Sequence, residues 1–286
     1  METRKAAPSA FSLSWKILVP AVLAALALWS LITLAVDRSF IYFPAPYPEG
    51  HYLSAARAPY VRDIWFRAED KVLLHGWYLK ADSPLATVIY SHGNAGNLSY
   101  GFDLYRRLRA EGLNVFAYDY RGYGRSEGTP TENGLYKDAR AAYARALELD
   151  GVDSNKIVLW GFSLGGAVSV RNALQHRPAG IILESAFTSL HDLGQIHYPS
   201  VVVSLLLHTR FSTIEEIPKI QTPILFIHGT MDEIVPLDQA HRLYEAARPP
   251  KTIYEVPGAG HNDVSLVGGD EYFRRVMDFI RSLPTR

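Results

Sequence analysis

The sequence predicts an α/β protein in which a mostly parallel central sheet is flanked by helices, with one apolar helix ahead of it. Three observations carry this expectation. From residue 86 onward, short apolar runs alternate with longer helix-patterned runs, the order of successive strand–helix units. Runs such as Ile224-Leu225-Phe226-Ile227 are apolar at every position, as in strands buried on both faces. Near the N-terminus, residues 17–36 carry no charge.

Composition narrows the class. The chain has 286 residues, 48% hydrophobic and 20% charged, enough for a sizeable core and too apolar for disorder. Lys+Arg and Asp+Glu balance at 29 each, so no one-signed field marks a nucleic-acid binder. No nucleic-acid motif is present. Cysteine is absent, which excludes disulfides, thiolate metal sites and a cysteine nucleophile and leaves the compartment open.

Residues 1–16 form an N-terminal tail, and residues 17–36 are expected to be a membrane anchor. As a helix, a run of that length spans about 30 Å, the thickness of a bilayer core. Trp15 and Trp29 fall near the two interfaces and Pro20 near one end, where a spanning helix tolerates it. A buried helix of this length would ordinarily keep a polar face. A cleaved signal peptide has a shorter apolar run ending in a small-x-small site, whereas Ala25-Leu26-Ala27 lies mid-run. Arg4, Lys5 and Lys16 precede the span, and Arg38 and Arg57 follow it. By that one-charge margin the positive-inside rule leans to a single-pass protein with its main domain extracytoplasmic.

Residues 37–60, rich in Pro, Tyr and Gly, read as a linker that hugs the membrane or the domain, and 61–284 as the main domain. Runs at 61–66 and 72–79 flank Ala68-Glu69-Asp70 and read as a hairpin. Further strands are expected at 86–91, 114–118, 156–160, 180–184, 223–228 and 252–256. Helices are expected at 98–111, 131–149 (opened by Thr131), 164–176, 237–247 and 270–282. Residues 186–220 break the alternation and exceed a simple crossover loop. They carry an apolar run, Val201 to Leu207, and read either as a small helical cap or as a longer crossover helix.

The chemistry concentrates in Gly161-Phe162-Ser163-Leu164-Gly165-Gly166. This string follows the apolar strand Ile157-Val158-Leu159-Trp160 and precedes a helix-like run, the strand–turn–helix setting that exposes a nucleophilic serine. A serine hydroxyl needs a base to remove its proton. His261, in the Gly-rich loop after the last expected strand, is the candidate. The base in turn needs a carboxylate to fix its tautomer. Asp232, on the loop after Ile224 to His228, is preferred over Glu233, Glu184 and Asp263. The chain order is then Ser, Asp, His. An oxyanion hole needs two further donors: the backbone N–H of Leu164, after the nucleophile, and that of Asn94, in Ser91-His92-Gly93-Asn94-Ala95-Gly96-Asn97. Asp119 and Arg121, in Asp119-Tyr120-Arg121-Gly122-Tyr123-Gly124, read as braces for neighbouring loops. No phosphate loop and no metal motif occurs, so neither cofactor nor metal is expected.

With His92-Gly93-Asn94, Asp119 to Ser126, Gly161 to Gly166, His228-Gly229-x-x-Asp232 and Gly260-His261 in this order, the chain resembles the α/β-hydrolase superfamily. It is similar in particular to Bem46-like proteins and their ABHD-type relatives. The resemblance implies an eight-stranded, mostly parallel sheet and cofactor-free hydrolysis of an ester, thioester or amide. The expected function is a serine hydrolase acting on an acyl or lipid-like substrate through an acyl-enzyme. A serine aminopeptidase-like peptidase is the alternative within that class, and a non-catalytic scaffold the alternative outside it. A dehalogenase or epoxide hydrolase would carry a carboxylate where Ser163 stands. The expected partners are a small or acylated substrate and, through the N-terminal helix, a membrane.

Overall fold

The computed structural model describes residues 10–56 and 58–284, the side chains of 10–14 and 32–40 excepted. Its centre is an eight-stranded sheet in the order β10-β9-β8-β7-β4-β6-β3-β2. The strands are β2 (Val61–Arg67), β3 (Leu73–Leu79), β4 (Ala86–Ser91), β6 (Leu113–Tyr118), β7 (Ile157–Phe162), β8 (Gly180–Glu184), β9 (Ile224–Gly229) and β10 (Lys251–Val256). Only the β2–β3 and β3–β6 pairings are antiparallel. From β6 across to β10 every pair is parallel.

The apolar runs lie in the middle of this sheet because both of its faces are covered. Along β7, Ile157 and Leu159 join one core cluster while Val158 and Trp160 join the other, as the two-residue period of a strand requires. On the first face lie α4 (Glu132–Leu147), α5 (Leu164–His176) and α9 (Leu237–Ala246); on the second lie α3 (Phe102–Ala110) and α10 (Val264–Ser282). Thr131 caps α4 by accepting from the Gly134 amide. The last helix begins earlier than the sequence pattern indicated. It runs from Val264 across a break at Gly269, where φ is +52°, a conformation glycine adopts without strain.

Residues 186–220 fold as three short helices, α6 (Leu190–His197), α7 (Ser200–Leu206) and α8 (Thr213–Glu216), and not as one crossover helix. The segment read as a linker is instead part of the domain. Two strands, β1 (Phe43–Pro44) and β5 (Ala95–Gly96), pair in parallel, and a short helix, α2 (Tyr52–Ala56), follows β1. Ile41 and Tyr42 are buried in the core, Tyr42 edge-on to Phe211. Its Pro and Tyr residues had suggested a linker; burial of the aromatic rings and pairing with the loop after β4 make it structure.

Ahead of it, α1 (Ala10–Ile41) is one continuous helix containing Pro20 and passing beyond the expected end at 36. From Trp15 to Leu31 its side chains lie largely in the open. Residues 1–9 of the predicted tail lie outside the described residues, as do the side chains of the last part of the predicted span. Among the described residues no helix is long and apolar enough to cross a membrane.

Candidate active site

The site is assembled at the C-terminal ends of the parallel strands, where open α/β sheets leave their crevice. Ser163 sits between β7 and α5 with φ +51° and ψ −115°, a backbone state costly for any residue with a Cβ. Close packing holds it there. A Cβ on Gly161 would fall 2.2 Å from the Gly165 carbonyl oxygen, and one on Gly165 would fall 1.9 Å from that of Ser91. Only glycines allow β7, α5 and the end of β4 to approach this closely. The Ser163 amide donates to the Glu184 carbonyl at 2.8 Å, fixing the turn to the neighbouring strand.

His261 reaches Ser163 from the loop after β10. Its Nε2 lies 3.0 Å from Ser163 Oγ and its Nδ1 2.7 Å from Asp232 Oδ2. The ring packs on Phe162 and is nearly enclosed. Its loop and the end of β9 meet tightly, since a Cβ on Gly229 would lie 2.3 Å from the Ala259 carbonyl oxygen. Asp232 is buried, and its other oxygen accepts from the amides of Ile234 at 3.0 Å and Val235 at 2.7 Å. Burial alone would raise the Asp232 carboxyl. Hydrogen bonds from His228, His261 and the Val235 amide outweigh it and hold the group well below the usual carboxylate range.

The other carboxylates weighed from sequence lie elsewhere. Glu233 is exposed. Asp263 accepts from the Gly260 amide within its own loop. Glu184 accepts from Trp160 Nε1 and Tyr272 Oη, both at 2.9 Å. Burial pushes its carboxyl up to about 7 against those two bonds and the nearby His228.

Sequence reasoning gave no role to His228. The fully buried ring donates through Nε2 to the Val235 carbonyl at 2.7 Å and lies 3.3 Å from Asp232 Oδ2. The spacing in His228-Gly229-x-x-Asp232 was the available signal, because a tight turn after a strand brings such residues back together.

Asn94 and Leu164 line one cavity with Ser163 and His261, about 340 Å³ in volume. Leu164 is the first residue of α5, so its N–H has no partner within the helix. The Asn94 side chain accepts from Tyr123 Oη at 3.1 Å, which leaves its backbone to define the loop. Asp119 braces the same loop: its oxygens accept from the Leu98 amide at 2.7 Å and Tyr52 Oη at 3.1 Å. Arg121 pairs with Asp138 and Asp70 at 2.7 and 2.9 Å, tying its turn to α4 and the β2–β3 hairpin. Apart from Asn262 the rest of the cavity is apolar, with Ile41, Phe43, Phe187, Leu190, Leu193 and Ile234 in its lining. No set of three or more His, Asp or Glu among the described residues is arranged to hold a metal.

Sheet order, helix layers and the serine turn together define an α/β hydrolase. Residues 82–214 match the Hydrolase_4 family, described as serine aminopeptidase, S33. An uncharacterized protein of Mycobacterium tuberculosis is 40% identical over 251 residues, covering 87% of both chains. Protein bem46 of Schizosaccharomyces pombe is 34% identical, covering 88% of this chain and 90% of its own. The α/β hydrolase domain-containing protein WAV2 of Arabidopsis thaliana is 31% identical over 87% of this chain and 89% of its own. The chain therefore belongs to the α/β-hydrolase superfamily, in its Bem46-like branch. The Pyrococcus furiosus esterase Pf2001 shares the fold with a TM-score of 0.70 at 22% identity, over 85% of this chain and 98% of its own.

Proposed function

We propose that the chain is a membrane-anchored serine hydrolase that cleaves an ester or thioester of an acyl or lipid-like substrate through an acyl-enzyme. The observation that carries this reading is the hydrogen-bonded line from Asp232 through His261 to Ser163, at 2.7 and 3.0 Å. His261 takes the Ser163 proton as Oγ attacks the carbonyl carbon, with Asp232 holding the Nδ1–H tautomer and stabilising the imidazolium. The N–H groups of Asn94 and Leu164 receive the oxyanion, a contribution of ~10²–10³-fold for each donor. His261 then protonates the leaving atom. Water attacks the acyl-enzyme with His261 again as base, and Ser163 is released.

The apolar cavity beside Ser163 supports an acyl substrate, since hydrocarbon displaces water there at no polar cost. Its lining by Ile41 and Phe43 supports a membrane setting, because these residues stand at the end of α1 and just beyond it. A chain leaving the bilayer along α1 enters the domain at the substrate cavity. The one-charge lean of the flanking residues supports an extracytoplasmic side for that domain.

The test is labelling of the full chain by a fluorophosphonate probe, alongside p-nitrophenyl esters of increasing acyl length. Ser163→Ala is expected to abolish labelling and to lower turnover ~10⁶-fold; labelling that survives in the variant sinks the assignment. The match of residues 82–214 to a family described as serine aminopeptidase favours a second reading, a peptidase. Faster release from aminoacyl p-nitroanilides than from octanoyl esters would select it.

A further inference from the structure

A second cavity, about 520 Å³ in volume, adjoins the first. The two share Gly93, Ala95, Phe162 and Asn262 as a common wall, so the second lies one side chain away from Ser163. Its chemistry differs from that of the first. Where the Ser163 cavity presents aliphatic and phenyl groups, this one is lined by Glu184, Tyr90, Tyr100, Tyr105 and Ser265.

One polar atom there lacks a protein partner. Glu184 is 4% exposed. One of its oxygens, Oε2, is occupied by Trp160 and Tyr272, and Oε1 has no hydrogen bond among the described residues. Tyr90 packs nearby, edge-on to Tyr105 at 5.0 Å and tilted against Trp160 at 6.0 Å. Leaving a buried polar atom unmade is expensive, ~1–3 kcal/mol. Glu184 lines the cavity, so a ligand donor there would satisfy its free oxygen.

The direction of the chemistry says which part of a substrate belongs there. His261 hands its proton to the leaving atom, so the leaving group departs on the His261 side. Asn262 and Ser265, on that loop and the start of α10, form that side of the second cavity. We propose that this cavity is the leaving-group subsite, taking a polar head with an O–H or N–H donor, a hydroxyl or a protonated amine, held by Glu184. The inference rests on the ester-hydrolase reading and adds the substrate's second half to it: an apolar acyl chain on one side of Phe162 and a hydrogen-bonding head on the other.

The test compares four octanoate esters on the full chain: 2-hydroxyethyl, 2-(dimethylamino)ethyl, 2-methoxyethyl and butyl. The first two carry a donor at the terminal position, as a hydroxyl and as a protonated amine. The other two carry none. The expected result is a kcat/KM roughly tenfold higher for one or both donor esters, and which of them leads identifies the head. Glu184→Gln is expected to compress that ratio toward one, whatever its absolute rate. Equal kcat/KM for all four esters, or a ratio unchanged in that variant, overturns the proposal. Absence of any ester turnover refutes the hydrolase reading but still leaves the cavity testable by binding. Calorimetry on Ser163→Ala should then show N-(2-hydroxyethyl)octanamide binding about tenfold tighter than N-butyloctanamide, with the preference lost on adding Glu184→Gln. Equal affinities overturn the subsite.

Discussion

At the ends of neighbouring strands β8 and β9, two carboxylates are driven in opposite directions by their surroundings. Asp232 collects the His261, His228 and backbone donors and stays ionised well below the usual range; Glu184 has only two neutral donors, and burial outweighs them and lifts it to about 7. The signs for stability follow. Asp232, depressed on folding, contributes stability that is present above about pH 4 and lost as the pH falls through its folded value. Glu184, raised from 4.5 to about 7, binds more protons folded than unfolded between those values. Stability from this group is therefore full below about pH 4.5 and declines, on the order of 3 kcal/mol, as the pH rises to about 7. Between pH 5 and 8 the urea midpoint of the native chain should fall more steeply than that of Glu184→Gln. Parallel profiles would show that the carboxyl is not held in its neutral form. The residue scale was partly legible in sequence. Ser163, Asp232 and His261 were chosen by motif and order, whereas His228 was passed over because its contact with Asp232 exists only after the turn closes.

The serine turn is an element-scale property. Its geometry depends on how closely α5 approaches β4, and the two glycines flanking Ser163 set that distance. Gly165→Ala would place a methyl 1.9 Å from the Ser91 carbonyl oxygen, with backbone on both sides of the clash and no flexible side chain to yield. It should cost roughly 3 kcal/mol or more and displace Ser163, read as a lowered Tm together with lost probe labelling. A variant with native Tm and labelling would show that the strand–helix spacing is looser than drawn here. The eight strands of the main sheet were legible to within a residue or two, because strands buried in a sheet carry apolar runs, whereas the two-residue strands β1 and β5 were not read from sequence. The start of α10 was not. Gly269 interrupts the helical pattern in the sequence, yet the chain bends there and continues, since packing of Val264 and Tyr272 in one core cluster supports both halves.

Across the whole molecule, the segment around β1 and the loop that carries Asn94 form one connected unit. β1 pairs with β5 in the Asn94 loop, and Asn97 Nδ2 donates to the Ala45 and Glu49 carbonyls at 3.1 and 2.8 Å. Two truncations separate anchoring from this bracing. Removing residues 1–39 should free the protein from membranes that retain the full chain through alkaline carbonate extraction, with ester turnover kept. Removing residues 1–57 deletes the Asn97 acceptors as well and should lower turnover at least ~10-fold, the scale of losing two buried hydrogen bonds. Carbonate release of the full chain would refute the anchor; undiminished activity of the shorter chain would refute the bracing role.

By itself the sequence determined the α/β class, the order of strands and helices, and the candidate nucleophile, base and acid. Those features are encoded locally, in hydrophobic period, glycine placement and chain order, and each can be read within a window of a few residues. The tertiary structure decided the rest. Residues 41–56 became a brace because Tyr42 finds Phe211 and Phe43 finds Ala95, partners far away in the chain. The Glu184 carboxyl was set apart from Ser163, Asp232 and His261, bound instead by Trp160 and Tyr272. Two cavities of opposite character meet at Phe162 because loops from six different parts of the chain converge there. Such contacts depend on where the sheet places distant segments, and no local pattern in the sequence records that placement.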